Sequence, residues 1–282
     1  MLITFLLTSV MAFASPPPPK MEVTHIGGPT ALVEIDGYRI LTDPTFDDGP
    51  KEYPINSVTS LKKTNSPSVK SDDLGQIDLV LLSHDEHADN LDEKGRAYLK
   101  KVTEVFTTAS GAKRLGGNAV GFKPWESKII KTKNKKTFKI TAVPARHGPV
   151  GIEPMAGDVV GFVITSQDSA IDLLYVTGDT VWYEGTKEVT KRFKPLAVLA
   201  FAGGAKPLPI PVRVTMDANE ILEFANALPS SVIIPIHQDG WAHFKESKTD
   251  IEQVFATFKL EKRLLSLTPG LKAEVPFVQK KK

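Results

Sequence analysis

Four apolar runs constrain this chain more than any other feature. They are "LVLLSH" ending at His84, "ITAVPARH" at His147, "LLYVTGD" at Asp179 and "SVIIPIH" at His237. Runs with so little polar alternation read as strands buried on both faces, which need packed layers on each side. Each run stops on a side chain that can bind a metal or move a proton. If these strands share one sandwich and run alike, their tips share one rim, where rigid elements hold a site together. A solitary histidine at a strand end ordinarily caps the chain or faces solvent. Four ends repeating the device, with His87 and Asp89 just beyond His84 in "SHDEHADNLD", point instead to convergence on a cation. The chain has no cysteine, so thiolate ligands, disulfides and a cysteine nucleophile are excluded. Imidazoles and carboxylates are left, a donor set for one or two divalent ions, zinc first and manganese or iron as alternatives.

The remaining pattern is strand-rich with interleaved helices. "MEVTHI", "TALVEID" and "YRILTDPTF" read as strands, and Asp36-Gly37 in "EIDGYRI" is a two-residue hairpin signal. Residues 47–76, rich in Pro, Ser, Lys and Asp, read as a surface excursion with little structure of its own. "NLDEKGRAYLKKV" reads as a helix. "TMDANEILEFANAL" reads as another, with Asp217 and Glu220 forming a capping box, and "TDIEQVFATFKL" as a third, started by Thr249 with Glu252. The six lysines of "KIIKTKNKKTFKI" read as an exposed hairpin rather than a nucleic-acid patch, since the lone aromatic, Phe138, gives no interleaved series for stacking. A formal net charge of +2 gives no electrostatic case for nucleic acid or a membrane surface.

The opening "MLITFLLTSVMAFASPPPPK" reads as a signal peptide with a Pro-rich junction over residues 1–20. It has an apolar stretch, Ala12-Phe13-Ala14 as a cleavage pattern, and prolines that stop a helix. Export to the periplasm or outside the cell is the expectation; a cytoplasmic protein starting at Met21 is the alternative. No other segment is long and apolar enough to span a membrane. Residues 21–282 are expected to form a single domain.

Five motifs in order, "THIGGPTALVEIDGYRILTDPTFD", "LLSHDEHADNLD", "VPARHGP", "TGDTVWYEG" and "IIPIHQDGWAHF", resemble the metallo-β-lactamase superfamily of metal-dependent hydrolases. More narrowly, they are similar to its lactonase-like and phospholipase-D-like members. The resemblance covers the chain from Met21 to about Phe277. It implies an α/β (α+β) fold, the four-layer αββα sandwich, with the site at one edge. It further implies that His84, His87 and His147 hold one metal, while Asp89, Asp179 and His237 hold or approach a second, Asp179 bridging. The superfamily pattern H-x-H-x-D-H is not met in full. Asn90 stands where its last His belongs, and His84 falls one residue early, so either a bulge is needed or Glu86 substitutes in another register. The second position is therefore expected to be the weaker.

The outlying candidates keep two readings each. Asp43 either accepts a hydrogen bond from a ligating His or simply makes an Asp-Pro turn. His25 and His243 line the pocket and touch substrate, or serve packing. Trp182, Tyr183 and Trp241 shape an apolar wall, or belong to the core. The chemistry expected is hydrolysis of an ester, lactone, amide or phosphodiester of a small molecule by a metal-activated water, with Asp89 and His87 as the catalytic residues. The rival is a degenerate metal-binding relative acting as a sensor or scaffold. A serine hydrolase is disfavoured, since no G-x-S-x-G elbow occurs.

Overall fold

Alternation inside the apolar runs decides which layer each side chain feeds. In the computed structural model, which describes residues 19–55, 57, 59–207 and 212–277, two mixed sheets face each other. The expected leader lies outside the described residues as far as Pro18. The first sheet contains β1 (Met21–Gly27), β2 (Thr30–Ile35) and β3 (Tyr38–Thr42). A small separate hairpin, β4 (Lys51–Pro54) and β5 (Ser60–Lys63), follows in the chain. The first sheet then resumes with β6 (Leu79–Leu81), β7 (Val105–Thr108) and β8 (Ala119–Phe122). The second sheet is built from β9 (Ser127–Lys131), β10 (Thr137–Pro144), β11 (Val160–Ser166), β12 (Ile171–Val176), β13 (Ala197–Phe201) and β14 (Val232–Ile236). Finally β15 (Lys272–Glu274) returns to pair with β1. The strand orders are β15-β1-β2-β3-β6-β7-β8 and β14-β13-β12-β11-β10-β9.

Along β13, Ala197, Leu199 and Phe201 point into the space between the sheets, while Val198 and Ala200 point outward. Strands β10, β12 and β14 divide their residues in the same way. The outward set is covered by α4 (Glu184–Arg192), α5 (Ala218–Ala227) and α6 (Lys248–Thr257), through Val189, Ile221, Phe224, Ile251 and Phe255. The outer face of the first sheet, with Leu41, Val80 and Val105, is covered by α1 (Glu93–Tyr98) and the turns beside it, through Leu91, Tyr98 and Leu99. Two short helices, α2 (Ala109–Leu115) and α3 (Glu153–Ala156), join strands at the edges. The layers are therefore helix, sheet, sheet, helix, the expected αββα sandwich.

Local chemistry accounts for the turns and caps. Asp36 and Gly37 both adopt positive φ (48° and 83°), as a type I′ turn requires, and Ile35 pairs with Tyr38 across it. Asp217 accepts the Glu220 amide at 2.9 Å and Glu220 reaches back to the Asp217 amide at 3.3 Å, closing the expected capping box. For α6 the box is formed two residues earlier than Thr249 and Glu252: Ser247 caps, and Asp250 accepts its amide at 2.7 Å. The same spacing of polar residues occurs twice in succession there, and Glu252 is drawn instead to Lys248 and Ser266. The lysine-rich segment is the β9–β10 hairpin, with β9 at a sheet edge.

Residues 47–76 depart from the expected lack of structure. The β4–β5 hairpin carries Lys63, buried against Asp92 at 2.8 Å, and its main chain pairs with Trp241. Nothing near Lys63 in sequence announces that pairing, because its carboxylate lies in the cap of α1. The hairpin thereby becomes a wall beside the rim.

Candidate metal centre

Strands β10, β12 and β14 run in one direction, since β11 is antiparallel to both β10 and β12, while β13 is parallel to β12 and β14. Their C-terminal ends, with that of β6 from the facing sheet, deliver the candidate ligands. The strands are shorter than the apolar runs suggest. β6 stops at Leu81, β10 at Pro144, β12 at Val176 and β14 at Ile236. His84, His147, Asp179 and His237 thus stand on the first residues of the loops. No strand bulge is needed for the extra residue between His84 and His87. Both histidines lie in the loop after β6, which bends at Asp85 and Glu86; beyond them the His87 carbonyl accepts the amides of Asn90 and Leu91 at 3.1 and 2.9 Å. His237 itself has φ of 59°, a conformation that a branched backbone rarely adopts, held by its amide donating to the Gly28 carbonyl at 2.8 Å.

Six ligand groups fall into two buried clusters. His84, His87 and His147 each offer one atom within 4.8 Å of the others, and so do Asp89, Asp179 and His237. In the first cluster His84 Nε2 lies 2.9 Å and His147 Nε2 3.2 Å from His87 Nδ1. Ligands about 2.0–2.1 Å from a tetrahedral ion are about 3.3 Å apart, so the spacing fits. His147 donates Nδ1–H to the Val214 carbonyl at 2.8 Å, which leaves its Nε2 lone pair facing inward. Burial holds both His84 and His147 below the usual histidine pKa, the first strongly, so both present neutral imidazoles. Three imidazole nitrogens that converge in this way, two of them on neutral rings, form a site for a cation.

The second cluster carries charge. His237 Nδ1 lies 2.8 Å from Asp179 Oδ1, and its Nε2 lies 3.6 Å from Asp89 Oδ2. Burial alone would raise both carboxylates. The imidazole of His237 outweighs it, holding Asp179 at about 2 and Asp89 well below the ordinary range, where His243 also contributes. Burial would conversely lower His237, yet Asp179 and Asp89 push it up to about 10. Asp89 Oδ1, Asp179 Oδ2 and His237 Nε2 are buried without a hydrogen-bond partner among the described residues. Orphaned donor atoms of this kind are expensive unless something binds them, and a divalent ion fits this donor set. The clusters adjoin through His147 Nε2 and Asp179 Oδ2, 3.6 Å apart.

The outlying candidates sort by contact. His243 Nε2 is 2.9 Å from Asp89 Oδ2, so this imidazole joins the site. Asp43 is fully buried, and burial raises it to about 8 despite hydrogen bonds from Ser83. It does not meet a histidine directly: Ser83 stands between Asp43 and His84. Asn90 is buried with its amide 3.5 Å from Asp43 and its carbonyl oxygen without a hydrogen-bond partner among the described residues. Glu86 does not take the place of His84; it pairs with Arg114. His25 lies away from the clusters and donates to the Gly28 carbonyl at 3.0 Å, the same oxygen that holds the His237 amide. Trp241 is buried beside Lys63 and lines a small cavity with Gly28 and Asp239. Trp182 packs on Phe224 of the outer core, and Tyr183 lies under the Arg146 guanidinium, so neither forms a wall of the clusters. The sequence reading missed Ser83, Lys63 and the Val214 carbonyl. Only Ser83 had a signal, its place next to His84.

Known proteins agree with this architecture. A family model described as a beta-lactamase superfamily domain matches residues 38–238. A metal-dependent hydrolase of Methanopyrus kandleri is 26% identical over 260 residues, covering 89% of this chain and 98% of its own. Two solved structures share the fold. An isothiocyanate hydrolase from Delia radicum gut bacteria has a TM-score of 0.75 at 22% identity, over 90% of this chain and 98% of its own. A protein of Veillonella parvula described as a possible metal-dependent hydrolase has 0.77 at 21%, over 90% and 99%.

Proposed function

The chain belongs to the beta-lactamase superfamily and is a metal-dependent hydrolase, and on that premise we propose that its two clusters hold the metal and direct water at an ester, lactone, amide or phosphodiester bond of a small molecule. The observation that carries the reading is the convergence of six ligand groups, with three of their atoms otherwise orphaned in the interior. His84, His87 and His147 would hold one ion, and Asp89, Asp179 and His237 a second, zinc being the first choice for such donors. A bound ion supplies a Lewis acid and a water acidic enough to act near neutral pH.

The protein's own groups do the rest. Asp89 turns Oδ2 to His243, and its Oδ1 would help hold the second ion and, as an acceptor kept ionised by His237 and His243, orient the water beside it. Asp179 contributes negative charge between the clusters and keeps His237 in place. Five of the six groups are buried and His87 is partly exposed, so the low-dielectric surroundings strengthen the electrostatic interactions inside while one imidazole faces the opening. Export through the N-terminal segment belongs to the same proposal, and N-terminal sequencing of the protein from its host checks it.

The test is to quantify metal in the native protein and assay ester, lactone, amide and phosphodiester substrates with and without chelator. An isothiocyanate joins the panel because a structural neighbour is named for hydrolysing one. Chelator-sensitive turnover is expected, and Asp89→Asn should lower it by about 10²–10⁴-fold. A protein that binds metal stoichiometrically but hydrolyses nothing in the panel would support the sensor or scaffold reading instead.

A further inference from the structure

We propose that Ser83 is a positioning residue that sets the tautomer of His84, turning the Nε2 lone pair of that imidazole toward the histidine cluster. The local geometry carries this. Ser83 follows the end of β6 and is pinned by main chain on both sides: the Leu82 amide donates to the Phe106 carbonyl at 2.9 Å, and the Ser83 carbonyl accepts the Val160 amide at 3.1 Å. Its own amide and its hydroxyl both reach Asp43 Oδ1, at 3.0 and 2.6 Å. The Asn90 amide approaches that oxygen as well, at 3.5 Å. Because Oδ1 takes the Ser83 amide, with the Asn90 amide also near, it serves as the carbonyl-type oxygen of the carboxyl group, any proton kept there by burial lying on Oδ2, and the single hydroxyl proton of Ser83 is directed to Oδ1. That leaves Ser83 Oγ with lone pairs only toward His84 Nδ1, 2.9 Å away, and Nδ1 must carry the imidazole proton. His84 Nε2 is then bare where it meets His87 at 2.9 Å.

The other well-anchored imidazole reaches the same state by a different route. His147 donates Nδ1–H to the Val214 carbonyl, a main-chain group that can only accept and that no side-chain substitution removes. His84 depends on one hydroxyl. Asp43, Ser83 and His84 are all buried, so water does not substitute readily for that link. Outer hydrogen-bond partners of this sort typically change metal affinity by about 10–100-fold.

The inference rests on the proposed metal-binding role of the cluster, but its first test does not. In metal-free, ¹⁵N-histidine-labelled protein, long-range ¹H–¹⁵N NMR reads the tautomer of each imidazole directly. His84 is expected with its proton on Nδ1; a proton on Nε2 in the unsubstituted protein overturns the inference, whatever the metal content. In Ser83→Ala the proton should move to Nε2 or exchange between the nitrogens. Zinc affinity, measured by competition with a chromophoric chelator, should fall by about 10–100-fold for one equivalent. Ser83→Thr, which keeps a hydroxyl, should restore both. A Ser83→Ala protein with the original tautomer and affinity overturns the inference; if that variant fails to fold, the spectrum of the unsubstituted protein decides. An Nδ1–H tautomer in a protein that binds no zinc would uphold the Ser83 link while removing the metal-binding reading.

Discussion

His84, His87 and His147 bring three imidazoles to one point, whereas Asp89, Asp179 and His237 bring two carboxylates and one imidazole to the point beside it. Both sets are buried, but burial acts on them differently. In the first it removes charge, holding His84 and His147 neutral. In the second, opposite charges 2.8 Å apart overcome it, so Asp179 stays ionised and His237 stays protonated. The histidine half is thus ready for a cation as it stands, while the carboxylate half already contains one in the form of a proton. Metal uptake by the second half must displace that proton, and uptake by the first need not.

The comparison breaks most visibly if ligands of the two halves prove interchangeable. His147→Ala should remove one metal equivalent and chelator-sensitive turnover to the detection limit. The thermal midpoint of the chelated protein should change far less, because that imidazole contributes one hydrogen bond to the fold. Metal analysis, a turnover assay and a melting curve check the three parts.

A middle-sized effect concerns pH. His237, raised from 6.5 to about 10, stabilises the fold fully below about pH 6.5 and loses that contribution as pH rises toward 10. Asp179, lowered to about 2, stabilises above about pH 3.8 and loses that as pH falls toward 2. Asp43, raised to about 8 by burial, adds a decline in the alkaline direction between about pH 4 and 8. Melting curves in chelator should therefore fall between pH 6.5 and 10, and His237→Gln should flatten the upper part of that fall. An unaltered slope in the variant would show that the carboxylate half does not hold its proton.

The smallest expected effect is at His25. His25→Leu removes a donor to the Gly28 carbonyl, which also holds the His237 amide. A loss of about 1 kcal/mol is expected by denaturant titration, with both metal equivalents retained. Loss of either equivalent would place His25 in the site rather than behind it.

How far the sequence reaches differs between regions in the same physical way. The buried strands were legible because β12, β13 and β14 carry their two-faced burial in their own residues, as in Ala197–Phe201, whereas the four-layer αββα order followed from the family resemblance. The Asp36-Gly37 turn and the Asp217–Glu220 box were legible because their partners lie within three residues. Site candidates could be named because an apolar strand that stops on His or Asp is a pattern in one dimension. The α6 cap was misjudged where two equivalent spacings overlap, and residues 47–76 were misjudged because Lys63 finds Asp92 far along the chain.

By itself, then, the sequence determined the buried strands, the hairpin turn and the Asp217 cap, and the set of side chains that end near the strand tips, since each depends on neighbours in the chain. Tertiary structure alone decided how those side chains divide into a neutral and a charged cluster. It also decided that Ser83 stands between Asp43 and His84, that His243 meets Asp89, that Asn90 turns its amide toward Asp43, and that Glu86 pairs with Arg114. Hydrogen bonds and burial are properties of groups that folding brings together, and their energies have no counterpart in the order of residues.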